Sequence, residues 1–367
     1  MKKDKQPSPR EATRPLVSLP RLAHAPIWLV ALSGLLGAMV FICAACSLAL
    51  ALLGPDRVLA VRDQLMGKTP EERTAALGQI LDVIRGEDIW PVPDRGRLTI
   101  LLMGIDRRPD QTNIPVRSDA ITLVTIDRQS NTAALLSIPR DLYVPLAGIE
   151  RVDRINTAYF FGESGKLPGG GAQVAKDTIA WNLGIPVHKH FVINFDGFTR
   201  AIDTLGGIDI DVPETIVDDA YPTDDYGVEQ LVIPAGPTHM DGALALKYAR
   251  TRHGDSDFGR LRRQQQILLA VRDKALSLNL VPQVPSLVDA LSGSYETDLT
   301  IAEMLSLAKV WSAIPRDSIA AYRIDETMTT SWTTPTGGSV LIPNREAIAP
   351  VVQAFLGQPQ PPAAQSR

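Results

Sequence analysis

The stretch LTILLMGIDRRPDQTNIPVRSDAITLVTIDRQSNTAALLSIPRD, residues 98–141, holds three short apolar runs, each closed by charged, prolyl or glycyl residues. Leu98–Ile105, Ala120–Ile126 and Ala133–Ile138 have the length and composition of strands. Beyond them the period changes. After the Gly-rich loop 168–171, Ala175, Ile179 and Leu183 recur at helical spacing before Gly184. Val192–Phe195 returns to strand, and Asp196-Gly197 opens a helix with Phe198, Ile202 and Leu205 on one face, stopped by Gly206-Gly207. Ile208, Ile210 and Val212 alternate as a strand does, Lys247–Arg252 is a further strand candidate, and a long helix is expected from Asp257 to about Leu276. Strands interleaved with helices predict an α/β fold with a central sheet covered on both faces.

Outward from this core, residues 1–26 carry Lys2, Lys3, Lys5, Arg10, Arg14 and Arg21 against only Asp4 and Glu11. The whole chain has a net charge of −4, so everything after this tail is clearly acidic. Nothing in that balance calls for nucleic acid. With 367 residues, 45% of them hydrophobic, and two cysteines, the chain can bury a large core without disulfides. A disulfide mini-domain, a collagen-like fibre and a wholly disordered chain are excluded.

From Ile27 to Leu53 no side chain carries a charge, and a membrane-spanning helix needs about 20 apolar residues. The basic flank predicts a transmembrane helix over 27–53 with residues 1–26 in the cytoplasm and the rest outside. A cleaved signal peptide is the rival, though its apolar region usually spans about 7–15 residues. Cys43 and Cys46 fall inside the run and read as small packing residues. Residues 54–96 read as a stem with a helix opened near Pro70-Glu71-Glu72, 97–276 as the main domain, 277–357 as an extension packed on it, and 358–367 as a disordered tail. The extension should contain a helix over Ile301–Ile314, a strand near Ala320–Ile324, a turn at Gly337-Gly338 and a last helix over Arg345–Leu356.

Several chemistries can be struck out. Gly165-Lys166 lacks the earlier glycine and the following Ser or Thr of a phosphate-binding P-loop, and neither G-x-S-x-G nor H-E-x-x-H occurs. Gly169–Gly171 could approach a phosphate or serve as a plain loop. What remains is arginine beside aspartate at strand ends: Asp106-Arg107-Arg108, Arg117-Ser118-Asp119, Arg140-Asp141 and the group Arg250, Arg252, His253, Asp255, Asp257, Arg260, Arg262 and Arg263. Ligands of open α/β sheets sit at strand ends.

On a strand, Arg250 and Arg252 would project together, and paired guanidinium forks suit a diphosphate. On the helix that follows, Arg260, Arg263, Gln264 and Ile267 share a side, so a polar end would pass into apolar surface. Surface salt bridges to Asp255, Asp257 and Asp141 are the plainer alternative. Asp106 and Asp119 are the carboxylates that adjacent strand ends would bring together, a set that suits Mg²⁺ or Mn²⁺ shared with substrate phosphates. His188 and His190 lack a third ligand and read as surface residues; His253 is a weak candidate base.

At these residues the chain resembles the LytR-CpsA-Psr (LCP) family of cell-envelope proteins. The matching blocks run in order over about 97–276: L-L-M-G-I-D-R-R, R-S-D-A-I-T-L-V, L-S-I-P-R-D, R-I-N-T-A-Y, N-F-D-G-F, L-G-G-I-D-I-D-V and Y-A-R-T-R-H-G-D-S-D-F-G-R-L-R-R-Q-Q-Q. The later G-G-S-V-L-I-P is also similar to the C-terminal part of many members. The resemblance implies a three-layer α-β-α sandwich around a central mixed sheet on a single membrane anchor. It implies a transferase that takes a glycopolymer from a polyprenyl-pyrophosphate carrier and attaches it, as a phosphodiester, to a peptidoglycan hydroxyl. By motif position Asp106 and Asp119 would hold Mg²⁺. Arg108, Arg117, Arg140, Arg250, Arg252 and Arg260 would grip the pyrophosphate, joined by Arg263 and Gln264. Asp119, Arg140 and Asp141 would form the catalytic group, with Asp141 orienting Arg140.

An isoprenoid tail requires an apolar tunnel between sheet and helices, for which Phe195, Phe198, Ile267 and Val271 are the candidates; the same side chains would serve as ordinary core. Arg107, Ala120 and His188-Lys189-His190 depart from the family pattern without removing a proposed ligand. Three other readings stay open. A pyrophosphatase would use the same residues with water as acceptor, a DNA-binding regulator would need a basic cytoplasmic surface larger than about 26 residues provide, and a wall-binding module would tolerate loss of Asp106, Asp119 or Arg140.

Overall fold

In the computed structural model the described residues are 96–107, 114–165, 167–223, 227–252, 257–278 and 291–357, with short pieces of 75–92. The basic tail, the apolar run 27–53, Arg108, His253, Asp255 and the tail 358–367 lie outside them. Among the described residues no helix is long and apolar enough to cross a membrane. In the expected stem, Ala75, Gly78, Gln79, Asp82 and Val83 are helical.

The chain runs β1 (Leu98–Ile105), β2 (Ser118–Asp127), β3 (Thr132–Ser137), β4 (Tyr143–Pro145), β5 (Val152–Arg154), α1 (Thr157–Ser164), α2 (Gly170–Leu183), β6 (Lys189–Asn194) and α3 (Phe195–Thr204). It continues through β7 (Ile208–Val212), β8 (Ile216–Pro222), β9 (Val228–Ile233), β10 (Gly236–Met240), α4 (Gly242–Arg250) and α5 (Asp257–Ser277). The last third adds β11 (Tyr295–Thr297), α6 (Ile301–Ala313), β12 (Ile319–Arg323), the hairpin β13 (Thr329–Thr333) and β14 (Ser339–Pro343), and α7 (Arg345–Phe355).

Six strands form one mixed sheet in the order β11-β6-β1-β2-β3-β12. β1, β2 and β3 pair antiparallel in succession, while β6 lies parallel to β1 and β12 parallel to β3. Side chains alternate across this sheet. Leu101, Met103 and Ile105 of β1 join Ala158 and Tyr159 of α1, Val174 and Ile179 of α2, and Val352 and Phe355 of α7 in one core. Leu98 and Ile100 face the other way, into a core with Leu307 and Val310 of α6. A third core joins β7, β9 and β10 to α4 and α5 through Ile208, Leu231, Met240, Tyr248 and Ile267. The sheet thus has helices on both faces, as the alternation of periods predicts.

Local chemistry sets the boundaries. Gly184, at φ 69°, closes α2 with a bond from its N–H to the Ala180 carbonyl. Thr300 and Glu303 form a reciprocal capping box at α6. The Asn194 side chain caps α3, so the helix begins at Phe195 rather than at Asp196, and β6 begins earlier than expected, at Lys189.

Two expectations are corrected here. Lys247–Arg252 is not a strand: Asp241 caps α4 by accepting from the Leu244 N–H at 2.8 Å, and Gly242–Arg250 continues as helix before Thr251 and Arg252 leave it. The run Ala-Leu-Ala-Leu-Lys-Tyr-Ala consists largely of good helix formers, with Lys247 and Arg250 favourably placed in the last turn. His190 is not a surface residue. It is buried on β6, its backbone N–H donates to Asp298 at 2.7 Å, and the same carboxylate accepts from the buried Lys176 at 2.9 Å. Burial would raise the Asp298 pKa, but hydrogen bonds from the His190 side chain and backbone and from Lys176 outweigh it and hold the carboxyl far below the usual range. The segment expected as an extension supplies β11 and β12, the two edge strands of the central sheet.

Candidate functional site

Between the sheet and α3, α4 and α5 lies a cavity of about 750 Å³. Its floor is one face of three adjacent strands: Leu102 pairs with Thr122 and with Phe191, and Gly104 with Ala120 and with Ile193. Small residues at the centre keep this floor open, since a Cβ on Gly104 would come within 3.3 Å of the Ala120 Cβ. Phe195, Phe198 and Ile202 of α3, Leu246 and Ala249 of α4, and Ile267, Leu268 and Val271 of α5 line the rest of the apolar part. All four candidates for a lipid-binding wall, Phe195, Phe198, Ile267 and Val271, therefore face the same space.

The polar part is built at the strand ends. Gly104 pairs with Ala120 but Ile105 pairs with Ser118, so Asp119 is an extra residue at a β-bulge, a feature that re-aims a side chain. Asp119 lines the cavity and pairs with the Arg140 guanidinium, which arrives from the end of β3. Arg140 Nε lies 3.5 Å from Asp141 Oδ2, and Asp141 Oδ1 lies 3.2 Å from Arg154 Nε. Burial alone would lower the Arg140 pKa, but Asp119 and Asp141 outweigh it and raise it. Burial raises the Asp141 pKa; Arg140 opposes this and the neighbouring Asp257 carboxylate adds to it.

Arg250, Arg252 and Arg260 complete the set, so four guanidiniums and two carboxylates, Asp119 and Asp218, stand in the cavity wall. Arg250 sits over the Phe195 ring at 4.5 Å and the Tyr221 ring at 5.8 Å, donates to the Tyr221 hydroxyl at 3.4 Å, and lies 3.9 Å from Asp106. Arg260 is the most telling. Its side chain is 4% exposed, 3.6 Å from Asp257, and its Nε has no hydrogen-bond partner. Burial lowers its pKa to about 10; Asp257 resists, while the nearby Arg140 and Arg252 push further down. A buried cation repelled by two others is costly unless an anion joins it. Arg140 Nε and Gln264 Oε1 are likewise buried without hydrogen-bond partners. From Arg260 to Val271 the wall follows α5 for about 16 Å, from charge to hydrocarbon.

Not every expected residue joins this group. Arg263 is buried behind the wall, with Nε donating to the Tyr248 carbonyl at 3.0 Å and Nη2 to the Thr251 carbonyl. On α5 it is rotated by about 60° from the line of Arg260, Ile267 and Val271, so it braces the chain between Tyr248 and Thr251. Arg117 is exposed just before β2 and does not line the cavity. Arg107 pairs with Glu163 of α1. Arg108 lies outside the described residues.

The sequence reading missed Asp218, Thr251 and Tyr221. Asp218 Oδ1 accepts from the Ala220 N–H at 3.1 Å and Oδ2 from the Thr251 hydroxyl, which pins the residue between Arg250 and Arg252. One signal was available: Ile216 and Asp218 occupy the same face of a strand, which places an acid at an inward position.

Among the described residues no three His, Cys, Asp or Glu side chains cluster so as to hold a metal. Asp106 and Asp119 are two carboxylates, and Mg²⁺ commonly takes one or two together with waters and substrate phosphates. Asp106 lies 3.9 Å from Arg250 and outside the cavity lining, and Asp119 pairs with Arg140, so each candidate ligand has an arginine beside it.

The family model LytR_cpsA_psr matches residues 70–353. The polyisoprenyl-teichoic acid–peptidoglycan teichoic acid transferase TagV of Bacillus subtilis (strain 168) is 35% identical over 225 residues, 60% of this chain and 54% of that protein. TagU of Enterococcus faecalis (strain ATCC 700802 / V583), a transferase of the same description, is 32% identical over 212 residues, 57% of this chain and 64% of that protein. The chain thus spans between about half and two thirds of the length of these curated relatives. The crystal structure of B. subtilis TagV superposes with a TM-score of 0.58 at 30% identity, covering 72% of this chain and 99% of that one. A structure described as TagT bound to LI-WTA superposes with a TM-score of 0.56 at 26% identity, covering 75% and 96%.

Proposed function

Because the chain belongs to the LytR-CpsA-Psr family, we propose that it is a phosphotransferase that moves a glycopolymer from a polyprenyl-pyrophosphate carrier to a hydroxyl of peptidoglycan. One observation carries this reading: a single cavity in which four arginines and two acids pass into a hydrocarbon wall. That is the polarity of a lipid diphosphate. The apolar run 27–53 would anchor the chain as a single-pass membrane protein, with the basic residues 1–26 in the cytoplasm and the domain outside.

In the proposed reaction the acceptor oxygen attacks the phosphorus that bears the polymer. The bond from that phosphorus to the bridging oxygen breaks, the polymer becomes a phosphodiester on the acceptor, and polyprenyl phosphate leaves with the bridging oxygen and its electron pair. The acceptor proton passes to solvent or a base. Such a transfer depends on positioning and charge neutralisation more than on covalent catalysis. Arg140, held by Asp119 and Asp141, would face the charge that grows on the phosphoryl oxygens. Arg250, fixed between Phe195 and Tyr221, and Arg252 and Arg260 would bind the diphosphate and keep the leaving phosphate in line. Asp106 and Asp119 would hold Mg²⁺ or Mn²⁺, which neutralises diphosphate charge when bound. The apolar wall, with Phe195, Phe198, Ile267 and Val271, would take the isoprenoid tail and exclude water.

The test is a product assay with full-length protein in detergent, Mg²⁺ and a lipid-linked glycan donor, read by mass spectrometry with and without peptidoglycan. The expected products are glycan joined to peptidoglycan as a phosphodiester and free polyprenyl phosphate. Release of glycan phosphate at the same rate in both samples would make the protein a pyrophosphatase, and no turnover in either would overturn the reading.

A further inference from the structure

Tyr143, which opens β4, and Trp332, next to last in β13, stand side by side with ring centroids 5.8 Å apart and planes tilted by 55°. Trp332 is 42% exposed, an unusual position for so large an apolar side chain. No part of the cavity wall includes either ring. The pair is held firmly. Leu341 of β14 donates its N–H to the Asp141 carbonyl at 2.9 Å, and Arg154 donates from Nε and Nη2 to the Ser339 carbonyl at 3.0 and 2.8 Å. Trp332 pairs with Val340 across the hairpin, and Tyr143 pairs with Arg154 across β4 and β5.

Their place relative to the cavity gives the rings a meaning. Burial alternates from Asp141 to Leu146, so Asp141 and Tyr143 turn to the same, outer side. Asp141 touches Arg140 on one side and Arg154 on the other. Tyr143 is three residues from Arg140, at most about 10 Å along the backbone. An exposed aromatic surface, edged by Arg154 and Asp141, therefore begins where the phosphate-binding end of the cavity stops.

We propose that Tyr143 and Trp332 form a carbohydrate platform that seats a pyranose ring next to the transferred phosphate. The negative π-face of an aromatic ring attracts the C–H bonds that cover one face of a pyranose, while Arg154 and Asp141 can exchange hydrogen bonds with its hydroxyls. A hydrocarbon tail would be poorly matched to those charges. A protein partner normally covers about 800 Å² a side, far more than two partly exposed rings provide. The sugar can come from the glycopolymer of the donor or from the peptidoglycan acceptor. The transferred phosphate and this choice of sources rest on the transferase reading above; the sugar-binding pair itself does not.

The experiment uses the full chain in detergent micelles and two probes. One is a set of N-acetylglucosamine–N-acetylmuramic acid oligosaccharides released from peptidoglycan by a muramidase; the other is a short-chain polyprenyl-diphosphate disaccharide. Binding of each is measured by calorimetry for wild type, Trp332→Ala, Tyr143→Ala and Trp332→Phe. The expected result is a loss of about tenfold for one probe in both alanine variants, largely restored in Trp332→Phe, with KM raised and kcat little changed wherever turnover is measurable. A loss for the oligosaccharides assigns the platform to the acceptor, and a loss for the lipid-linked disaccharide assigns it to the donor. A protein that binds sugar through Trp332 but transfers nothing would keep the platform and remove the transferase reading. Unchanged affinity for both probes in an alanine variant that melts like wild type would overturn the proposal.

Discussion

The hydroxyl of Thr251 donates to Asp218 Oδ2 at 2.6 Å, and each residue is only 1% exposed. This bond fixes Thr251, the residue between Arg250 at the end of α4 and Arg252. A buried carboxylate of the cavity wall acts on two arginines through the backbone between them. Replacing Asp218 with Ala should cost about 1–3 kcal/mol, because the Thr251 hydroxyl and the Ala220 N–H lose their acceptor. Transfer should fall further than stability explains, whereas Thr251→Ser should retain both. Thermal melting alongside kcat and KM checks the difference.

Arg140→Ala should lower kcat by about 10²–10³-fold, the usual effect of losing a donor aimed at developing charge. Arg140→Lys should not restore it, because one ammonium cannot reproduce a fork that meets Asp119 and Asp141 together. Steady-state kinetics with a lipid-linked donor decide this; recovery with Lys would show that charge alone suffices.

Arg260→Met should abolish donor binding and yet stabilise the ligand-free protein by about 1 kcal/mol or more. It replaces a repelled, partly unpaired buried cation with hydrocarbon of similar size. Denaturant melts give the stability, and the loss of stabilisation by added inorganic pyrophosphate gives the binding.

Val271→Trp should fill the apolar part of the cavity about 16 Å along α5 from Arg260. KM for a long-tailed donor should rise about tenfold or more while a short-tailed donor is processed as before. Equal effects on both donors would mean that the apolar wall is ordinary core.

Asp141 supplies a pH dependence. Its folded-state pKa lies above that of an unfolded aspartate, so the native state binds more protons in the window between the two values. Stability must therefore fall as pH rises through that window from about 4. Asp141→Asn should remove this fall, raise the melting temperature at neutral pH and reduce transfer, since Arg140 and Arg154 lose a charged partner. Melting curves across mildly acid to neutral pH test the sign.

Much of this was legible in the chain itself. The three strands over 98–137 could be read because each buried run has its own polar stop, and α2 because Gly184 ends it where a left-handed residue is needed. The segment 247–252 misled because polar and apolar residues alternate there like a strand, while the decisive cap, Asp241, stands six residues upstream. Arg263 looked like a ligand from its place in the motif, but three residues along a helix turn it behind Arg260 and onto backbone carbonyls. The hairpin of β8 and β9 stayed hidden because its inward residue is an acid, Asp218, whose partner Thr251 could be found only in three dimensions.

Both borders of the central sheet, β11 and β12, come from residues translated after every arginine of the cavity wall. A nascent chain that has grown only through Ser277 holds those arginines on a sheet with two raw margins, each able to recruit a stray strand. Both margins are covered only when the C-terminal third supplies β11 beside β6 and β12 beside β3.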